Sequence, residues 1–228
     1  MGSTAVDKGF LYRIVRFDHA VEVLKGNLHF SHPSSWDDPY ETHIKHEFDH
    51  AIFGQCWTKS SVSDAMWRIY SPNMLGVRLR TTREKLESAM QSYTKNNPGF
   101  KRRLRDVEYL RPIKYRDKVA GIEQQMQLIV SSPSLAADML CLKRDAFKHE
   151  NEVRAILYNG NAERIESARI SPIKVGVNGR ELIQQIVFDP RAPDELCNAM
   201  KHYLKEIVNF KGEVKKSKLY TVKPSKTE

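Results

Sequence analysis

The feature that most constrains the fold of this 228-residue chain is an apolar run, Val153 to Tyr158, that follows two closely spaced carboxylates. A short apolar run of this length is typical of a buried β-strand. Because side chains alternate across a strand, Glu150 and Glu152 are expected to share a face, which Arg154 extends. Like charges on one face cost free energy unless they have partners or a chemical role. One alternative is therefore an exposed strand end that Arg154 neutralises; the other is a site that stabilises a developing positive charge, as at a sugar's anomeric carbon.

Composition indicates a folded globule outside the membrane. Hydrophobic residues make up 40% of the chain, with nine Phe, nine Tyr and three Trp, and no apolar stretch approaches the roughly 20 residues that span a bilayer. The start of the chain lacks the basic and apolar regions of a signal peptide. The cysteines Cys56, Cys141 and Cys197 are odd in number and widely spaced, as is usual for reduced thiols. We therefore expect a cytoplasmic protein.

Strand and helix patterns alternate along the chain without a repeat, a long linker or a change in composition. This pattern predicts a single mixed α+β domain over residues 1–221, followed by a flexible tail over residues 222–228. The segment from Val107 to Tyr115 is interpreted as a strand, and Pro112 within it suits an edge or a bulge.

The net charge of +9, with a pI near 9.4, favours polyanionic partners or an acidic protein partner. The excess is concentrated in Lys101 to Arg105 and in Lys211 to Lys218, and Lys114, Arg116 and Lys118 add to it. Each segment is equally consistent with a solvated basic face. Together they predict contact with nucleic acid.

Two polar clusters are interpreted as structural. The acidic residues of segment 37–41 (Asp37, Asp38 and Glu41) fit a turn and a helix cap better than a ligand site. The separations of His43, His46 and His50 would place them on one helix face, but no fixed fourth zinc ligand is evident. We therefore expect no metal site.

Six short motifs follow one another between about residue 11 and residue 158: Tyr12-Arg13, Phe30-Ser31, the segment from Asp37 to Glu41, Cys56-Trp57-Thr58, the segment from Trp67 to Tyr70, and the segment from Glu150 to Arg154. Their order resembles a bacterial family without assigned function, the domain of unknown function twenty-nine seventy-one. The chain has Asp37 where that family usually has Asn, and Phe147 where Trp is common.

Three elements are also similar to ADP-ribosyltransferases of the Arg-Ser-Glu class. They are Arg13 on the first strand, Trp57-Thr58-Lys59-Ser60 on a middle strand and Glu150-Asn151-Glu152 before a late strand. The middle segment reads Thr-Lys-Ser instead of Ser-Thr-Ser. The resemblance implies a split β-sheet core with flanking helices and NAD as co-substrate. It also implies that Arg13 holds NAD phosphate or ribose, that Glu152 binds the 2′-hydroxyl of the nicotinamide ribose, and that Glu150 meets the acceptor.

The candidate residues follow from this resemblance. The catalytic candidates are Glu152, Glu150 and Arg13; the NAD-binding candidates are Tyr12, Arg13, Ser31, Trp57, Thr58, Ser60, Trp67 and Tyr70. The aromatic side chains suit stacking on nicotinamide or adenine. Each also has a place in a core, and for Trp67 and Tyr70, three residues apart on one helix face, the core is the favoured alternative.

The leading hypothesis is an NAD-dependent ADP-ribosyltransferase of the toxin or phage-defence kind that modifies a macromolecule, with nucleic acid as the favoured acceptor, and that pairs with an antitoxin in some systems. The alternative is a non-catalytic nucleic-acid-binding or protein-interaction domain of a defence system. The sequence contains no Gly-x-Ser-x-Gly elbow and no phosphate-binding glycine loop. An enzyme should gather Arg13, Trp57 and Glu152 around one cleft, whereas a binding domain has no need to.

Overall fold

The computed structural model describes residues 9–36, 38, 40, 48–128, 133–162 and 171–222. The strands are β1 (Phe10–Arg16), β2 (Asn27–Phe30), β3 (Ile52–Thr58), β4 (Gly76–Thr82), β5 (Phe100–Asp106), β6 (Glu108–Leu110), β7 (Leu142–Arg144), β8 (Glu152–Asn159), β9 (Ile173–Gly176), β10 (Gln185–Phe188) and β11 (Glu213–Lys216). The α-helices are α1 (Phe17–Leu24), α2 (Asp64–Tyr70), α3 (Arg83–Asn96), α4 (Pro112–Leu128), α5 (Pro133–Met139), α6 (Gly179–Leu182) and α7 (Asp194–His202). The prediction of a mixed α+β fold is confirmed.

Seven of these strands form one sheet, in the order β11-β10-β4-β1-β3-β8-β5. Neighbouring strands are antiparallel except for the parallel pair β10 and β11. Two small sheets lie outside it: the antiparallel pair β2 and β9, and the parallel pair β6 and β7. The edges of the large sheet are therefore β5 and β11.

One face of the large sheet packs against α1, α3 and α7. Alternate strand residues such as Leu11, Leu79 and Val153 point to this side and are buried. From α3, Leu86 and Met90 reach the same core, since residues four apart lie on one helix face. This layer is the main hydrophobic core.

The opposite face is covered only in part. Near β3 and β8 it packs against α5, with Ile52, Ile156 and Tyr158 meeting Ala136 and Ala137. Across β1 and β4 the same face includes the polar side chains Tyr12, Arg78 and Arg80. This uneven cover leaves room for a cavity on the polar side of the sheet.

The prediction of a strand from Val107 to Tyr115 is wrong beyond Leu110. The strand β6 ends there, and Pro112 begins α4. Proline suits the first turn of a helix because its missing N–H would have no partner there. No helix in the described parts of the chain combines the length and apolarity that a bilayer crossing requires. Of the predicted tail, only Val222 belongs to the described residues.

Substitution of Gly179 tests the contact between α6 and α1. A Cβ atom at Gly179 would lie 1.8 Å from the carbonyl oxygen of Val23, which is backbone and cannot rotate away. We expect Gly179→Ala to lower the free energy of unfolding by at least about 3 kcal/mol, the upper part of the range for overpacking. Urea denaturation of the parent and the variant measures this change in the free energy of unfolding.

Gly121→Ala is the matched control. A Cβ atom at this exposed position in α4 meets no atom within 4 Å, so better helix propensity should stabilise the protein by about 0.5–1 kcal/mol. Equal effects of the two substitutions would contradict the close approach of α6 to α1.

Candidate active site

A cavity opens where the large sheet splits between β1 and β3. β1 pairs with β4 from Phe10 to Arg16, but with β3 only where Tyr12 lies opposite Thr58. The two halves of the sheet separate beyond that pair. The gap is lined by Arg13 on β1 and by Cys56 on β3, among other residues.

The cavity has a volume of about 370 Å³, within the range of roughly 300–1,000 Å³ that is usual for small-molecule sites. Neighbouring residues of a strand point to opposite faces, so lining by both Tyr12 and Arg13 indicates that the cavity reaches both sides of the gap. The candidate residues that line it are Tyr12, Arg13, Ser31, Trp57, Thr58, Tyr70, Glu150 and Glu152.

Glu152 forms a bidentate ion pair with Arg154. Arg154 donates to both Glu152 carboxylate oxygens, from Nε and from Nη2, each at 3.0 Å. Burial raises the pKa of Glu152, but the charge and hydrogen bonds of Arg154, with help from Lys143 and Cys56, outweigh it and hold that pKa below its ordinary value. Glu152 is therefore an anion at neutral pH and acts as a hydrogen-bond acceptor, not as a proton donor.

Glu150 belongs to the same buried network. Lys143 Nζ lies 2.5 Å from Glu150 Oε2 and 3.5 Å from Glu152 Oε2, and the Tyr70 hydroxyl donates to Glu150 Oε1 at 3.0 Å. Burial, and then the charge of Glu150, raise the pKa of Tyr70, so its hydroxyl stays protonated. Two anions and two cations balance in this cluster. The alternative of an exposed strand end is wrong, since both glutamates are buried.

A tight turn sets the spacing of the two glutamates. Glu150 ends a 3-10 turn, Asn151 is left-handed (φ 45°, ψ 54°), and β8 starts at Glu152, so Glu150 is not part of the strand. Asparagine tolerates this conformation better than most residues. The Thr58 hydroxyl donates to the Glu150 carbonyl oxygen at 2.5 Å, and Tyr109 Oη accepts the backbone N–H of Glu152 at 2.8 Å.

Arg13 differs from the other cations of the site. Arg13 is half-buried and lines the cavity, and its guanidinium has neither a hydrogen bond nor an ion pair with any residue in the described part of the chain. Burial lowers the pKa of Arg13, and the nearby Cys56 thiol opposes that shift. An arginine nevertheless keeps its charge in a protein. A poorly solvated cation without an anion favours an anionic ligand, and its planar donors match phosphate.

The remaining candidates that line the cavity have structural contacts as well. Ser31 Oγ accepts from Trp36 Nε1 at 3.3 Å and lies 3.4 Å from the Gly54 carbonyl oxygen, to which it donates. Trp57 is 2% exposed and donates from Nε1 to Gln55 Oε1 at 3.0 Å, so only a small part of its ring faces the cavity.

Two NAD-binding candidates do not line the cavity. The backbone N–H of Ser60 donates to Thr58 Oγ1 at 3.0 Å, which places Ser60 behind the hydroxyl residue that does line it. Trp67 is 1% exposed, as the core alternative predicted. Tyr70, on the same helix, is 39% exposed and is not a core residue. The functional roles of all these residues remain predictions.

Sequence reasoning missed three residues of the site: Lys143, Cys56 and Trp36. Lys143 follows an apolar segment, Leu140 to Leu142, and a lone lysine in that position is the only signal it gives. Cys56 is half-buried and lines the cavity, and its isolated position in the sequence gives no sign of this. The Trp36 ring lies 4.7 Å from Arg154 Cζ and so covers the buried cation.

Only some residues of the two polar clusters interpreted as structural belong to the described part of the chain. Asp38 is buried and pairs with Arg144 at 3.1 Å, and its side chain accepts the backbone N–H of Tyr40 at 3.0 Å, as in an Asx-turn. Asp37, Glu41, His43 and His46 lie outside the described residues. Within those residues, no group of three or more His, Cys, Asp or Glu side chains is arranged to hold a metal ion.

Comparison with known proteins gives one family match and several distant structural likenesses. Residues 66–155 match the family described as "Protein of unknown function (DUF2971)", which confirms the resemblance drawn from the motifs Trp67 to Tyr70 and Glu150 to Arg154. No curated protein matches the chain.

The solved structures that resemble this one include three of DarT from Thermus sp. 2.9. Its complex with carba-NAD+ has 12% identity and a TM-score of 0.41, covering 94% of this chain and 98% of that chain. The complex with ADP-ribosylated ssDNA has 13% identity and a TM-score of 0.41, covering 96% and 98%. The complex with NAD+ has 12% identity and a TM-score of 0.39, covering 94% and 98%.

Arg154→Met tests whether the buried cation holds Glu152 in place. The substitution leaves a buried carboxylate without its bidentate partner, so we expect the free energy of unfolding at pH 7 to fall by about 3–5 kcal/mol. A carboxyl group whose pKa is lowered in the folded state stabilises the protein at pH values above its ordinary pKa. That stabilisation is lost as the pH falls through the pKa of the folded state. The difference between parent and variant should therefore shrink at pH 4, as measured by urea denaturation.

Arg16→Gln is the control for this experiment. Arg16 pairs with Asp18 on the surface, where the two side chains are 74% and 58% exposed, and such pairs contribute less than about 1 kcal/mol. A loss for Arg154→Met no larger than that of the control would show that the buried pair does not hold the site together.

Proposed function

We propose that this protein is an NAD-dependent ADP-ribosyltransferase of the toxin or phage-defence kind, with nucleic acid as the class of acceptor. One observation carries the proposal: Arg13, Trp57 and Glu152, from three different strands, line a single cavity. An unpartnered cation and a buried anion in one cavity suit a substrate with a phosphate group and a sugar that becomes positively charged. The alternative, a non-catalytic binding domain, gives no reason for this convergence.

The reaction breaks the bond between the nicotinamide nitrogen and ribose C1′; the electron pair leaves with nicotinamide, and an acceptor atom that gives up a proton bonds to C1′. Positive charge develops on the ribose as that bond breaks. Glu152, ionised and held in a fixed geometry, stabilises this charge without reorganising. Arg13 neutralises phosphate on the other side of the gap between β1 and β3.

One of the hydrogen bonds to Glu152 can be exchanged for one from the substrate. A carboxylate offers about four acceptor positions, and Arg154, Lys143 and the Cys56 thiol contribute donors to them. A thiol is the weakest donor of this set. A ribose hydroxyl can therefore replace Cys56 without breaking the ion pairs that keep Glu152 charged.

Incubating the protein with NAD labelled in the adenosine part, together with RNA, DNA and protein fractions, tests the proposal directly. We expect release of nicotinamide and transfer of label to nucleic acid. Absence of both products from folded protein would exclude the enzyme and favour the binding domain. Label on a protein fraction alone would retain the transferase and reject the nucleic-acid acceptor.

Substitution of Arg13 should act mainly on NAD affinity. Loss of a charge-assisted phosphate contact costs about 1.5–3 kcal/mol, so Arg13→Gln should weaken NAD binding by at least tenfold. Arg13→Lys should recover only part of it, because an ammonium group lacks the planar pair of donors. Calorimetric titration with NAD, alongside thermal unfolding, measures the effect. Lower stability with unchanged NAD affinity would show that Arg13 is a structural residue.

Substitutions of the two glutamates should affect different steps of the reaction, the cleavage of NAD and the transfer to the acceptor. Glu152→Gln removes the charge that stabilises the cation, and we expect nicotinamide release to fall by about two orders of magnitude or more. Glu150→Ala should affect transfer to the acceptor more than the cleavage of NAD. Both rates come from one time course with labelled NAD, with circular dichroism as the check on folding. Near-normal cleavage by folded Glu152→Gln would refute the assignment of Glu152.

A further inference from the structure

The segments whose charges suggested nucleic-acid contact are partly neutralised by the protein itself. In β5, Arg102 pairs with Glu87, and both Arg103 and Arg105 pair with Asp138. The second segment behaves similarly, since Lys215 pairs with Glu213 and Lys216 with Asp194. Charges that already have partners contribute little to counterion release. The surface that meets a polyanion should therefore be sought where cations have no acidic partner.

Arg78 and Arg80 on β4 meet that condition. In the described part of the chain neither makes a hydrogen bond or an ion pair, and the buried Nε atom of each has no partner. Arg78 Cζ lies 5.0 Å from the centroid of the Tyr12 ring, and Arg80 Cζ lies 4.7 Å from that of Phe10. Glu213, beyond β10, is hydrogen-bonded by Lys215 and Gln185, and its charge interacts with that of Arg80 without an ion pair between the two. Both guanidinium groups thus have donors without a partner, and each lies over an aromatic ring.

Strand register places these arginines beside the cavity. Arg80 is opposite Tyr12, and Arg78 is opposite Ile14; both partners line the cavity. Because alternate residues share a face, Arg78, Arg80 and Tyr12 lie on the same side of the sheet as Glu152. The two arginines are roughly 6.6 Å apart along the strand, at about 3.3 Å per residue, a separation comparable to that of successive phosphates in an extended nucleic-acid strand.

Exposed apolar side chains flank the same opening. Ile69 and Tyr70 of α2 line the cavity and are 49% and 39% exposed. Cations that follow the backbone, with an aromatic surface for bases, form the usual combination for binding single strands. Burial also lowers the pKa of Arg78, which indicates a cation poorly solvated in the absence of an anion.

We propose that Arg78 and Arg80 form a phosphate-binding track that leads a single-stranded nucleic-acid acceptor to the cavity, with Tyr70 as a stacking surface at its mouth. This inference rests on the proposed function only in taking the bound nucleic acid to be the acceptor of the transferred group. Its binding test does not depend on catalysis. The contacts are to the backbone, so they favour no particular base sequence.

Fluorescence anisotropy with labelled oligodeoxythymidine and oligouridine, at several salt concentrations, tests the track. Loss of two phosphate contacts should reduce the log–log salt slope by about 1.4, at about 0.7 per contact for single strands. We expect Arg78→Gln/Arg80→Gln to weaken binding at least tenfold at low salt. Arg78→Lys/Arg80→Lys, which keeps both charges, should retain the parental slope.

Lys95→Gln/Lys201→Gln is the matched control. It makes the same change in net charge at exposed positions of α3 and α7, the helices that cover the other face of the sheet. We expect affinity within about twofold of the parent and an unchanged slope, since distant charges are screened. If the control and the β4 variant lose affinity equally, the track is overturned in favour of a general effect of net charge.

Photo-crosslinking of the parent protein keeps the inference testable if the β4 variant fails to fold. An oligonucleotide that carries 4-thiouridine should label peptides from β1, β4 or α2; labelling elsewhere overturns the track. Failure of the parent to bind either oligonucleotide also overturns it. Nicotinamide release by the parent is measured separately, so absence of catalysis counts against the proposed function and not against the track.

Discussion

The ion pair between Arg154 and Glu152 is the interaction on which the candidate site depends. Moving either charge from water into the protein costs several kcal/mol, so neither group would remain buried alone. The same guanidinium lies against the Trp36 ring and donates to the carbonyl oxygen of Leu140. One cation thereby joins β8 to the loop after β2 and to the end of α5. The charge that the cavity presents is thus fixed by a residue that does not line it.

The split of the sheet provides the space in which that charge can act. Continuous pairing of β1 with β3 would fill the gap with backbone hydrogen bonds, whereas pairing at a single position leaves side chains of both strands facing a cavity. Arg13 and Glu152 then lie on strands from opposite halves of the sheet. A ligand that spans the gap would connect the two halves, which gives binding a direct effect on the rigidity of the sheet.

The sequence predicted the part of the site that depends on local spacing. Glu152 and Arg154 share a strand face because they are two residues apart, and the apolar run after them identified the strand. Lys143 could not be found in this way. It reaches the glutamates because β7 pairs with β6, which sets Lys143 opposite Tyr109, whose hydroxyl binds the Glu152 backbone. Such long-range pairing leaves no periodic signal, and the charges of β5 concealed its strand pattern.

The two charged segments are the edge strands of the large sheet, β5 and β11. An edge strand exposes backbone N–H and C=O groups on which a strand from another molecule can pair. Lysine and arginine side chains, such as Lys101 in β5 and Lys215 in β11, oppose that pairing because an identical edge would bring like charges together. Basic residues at these edges thus oppose edge-to-edge pairing between molecules, independently of what the protein binds.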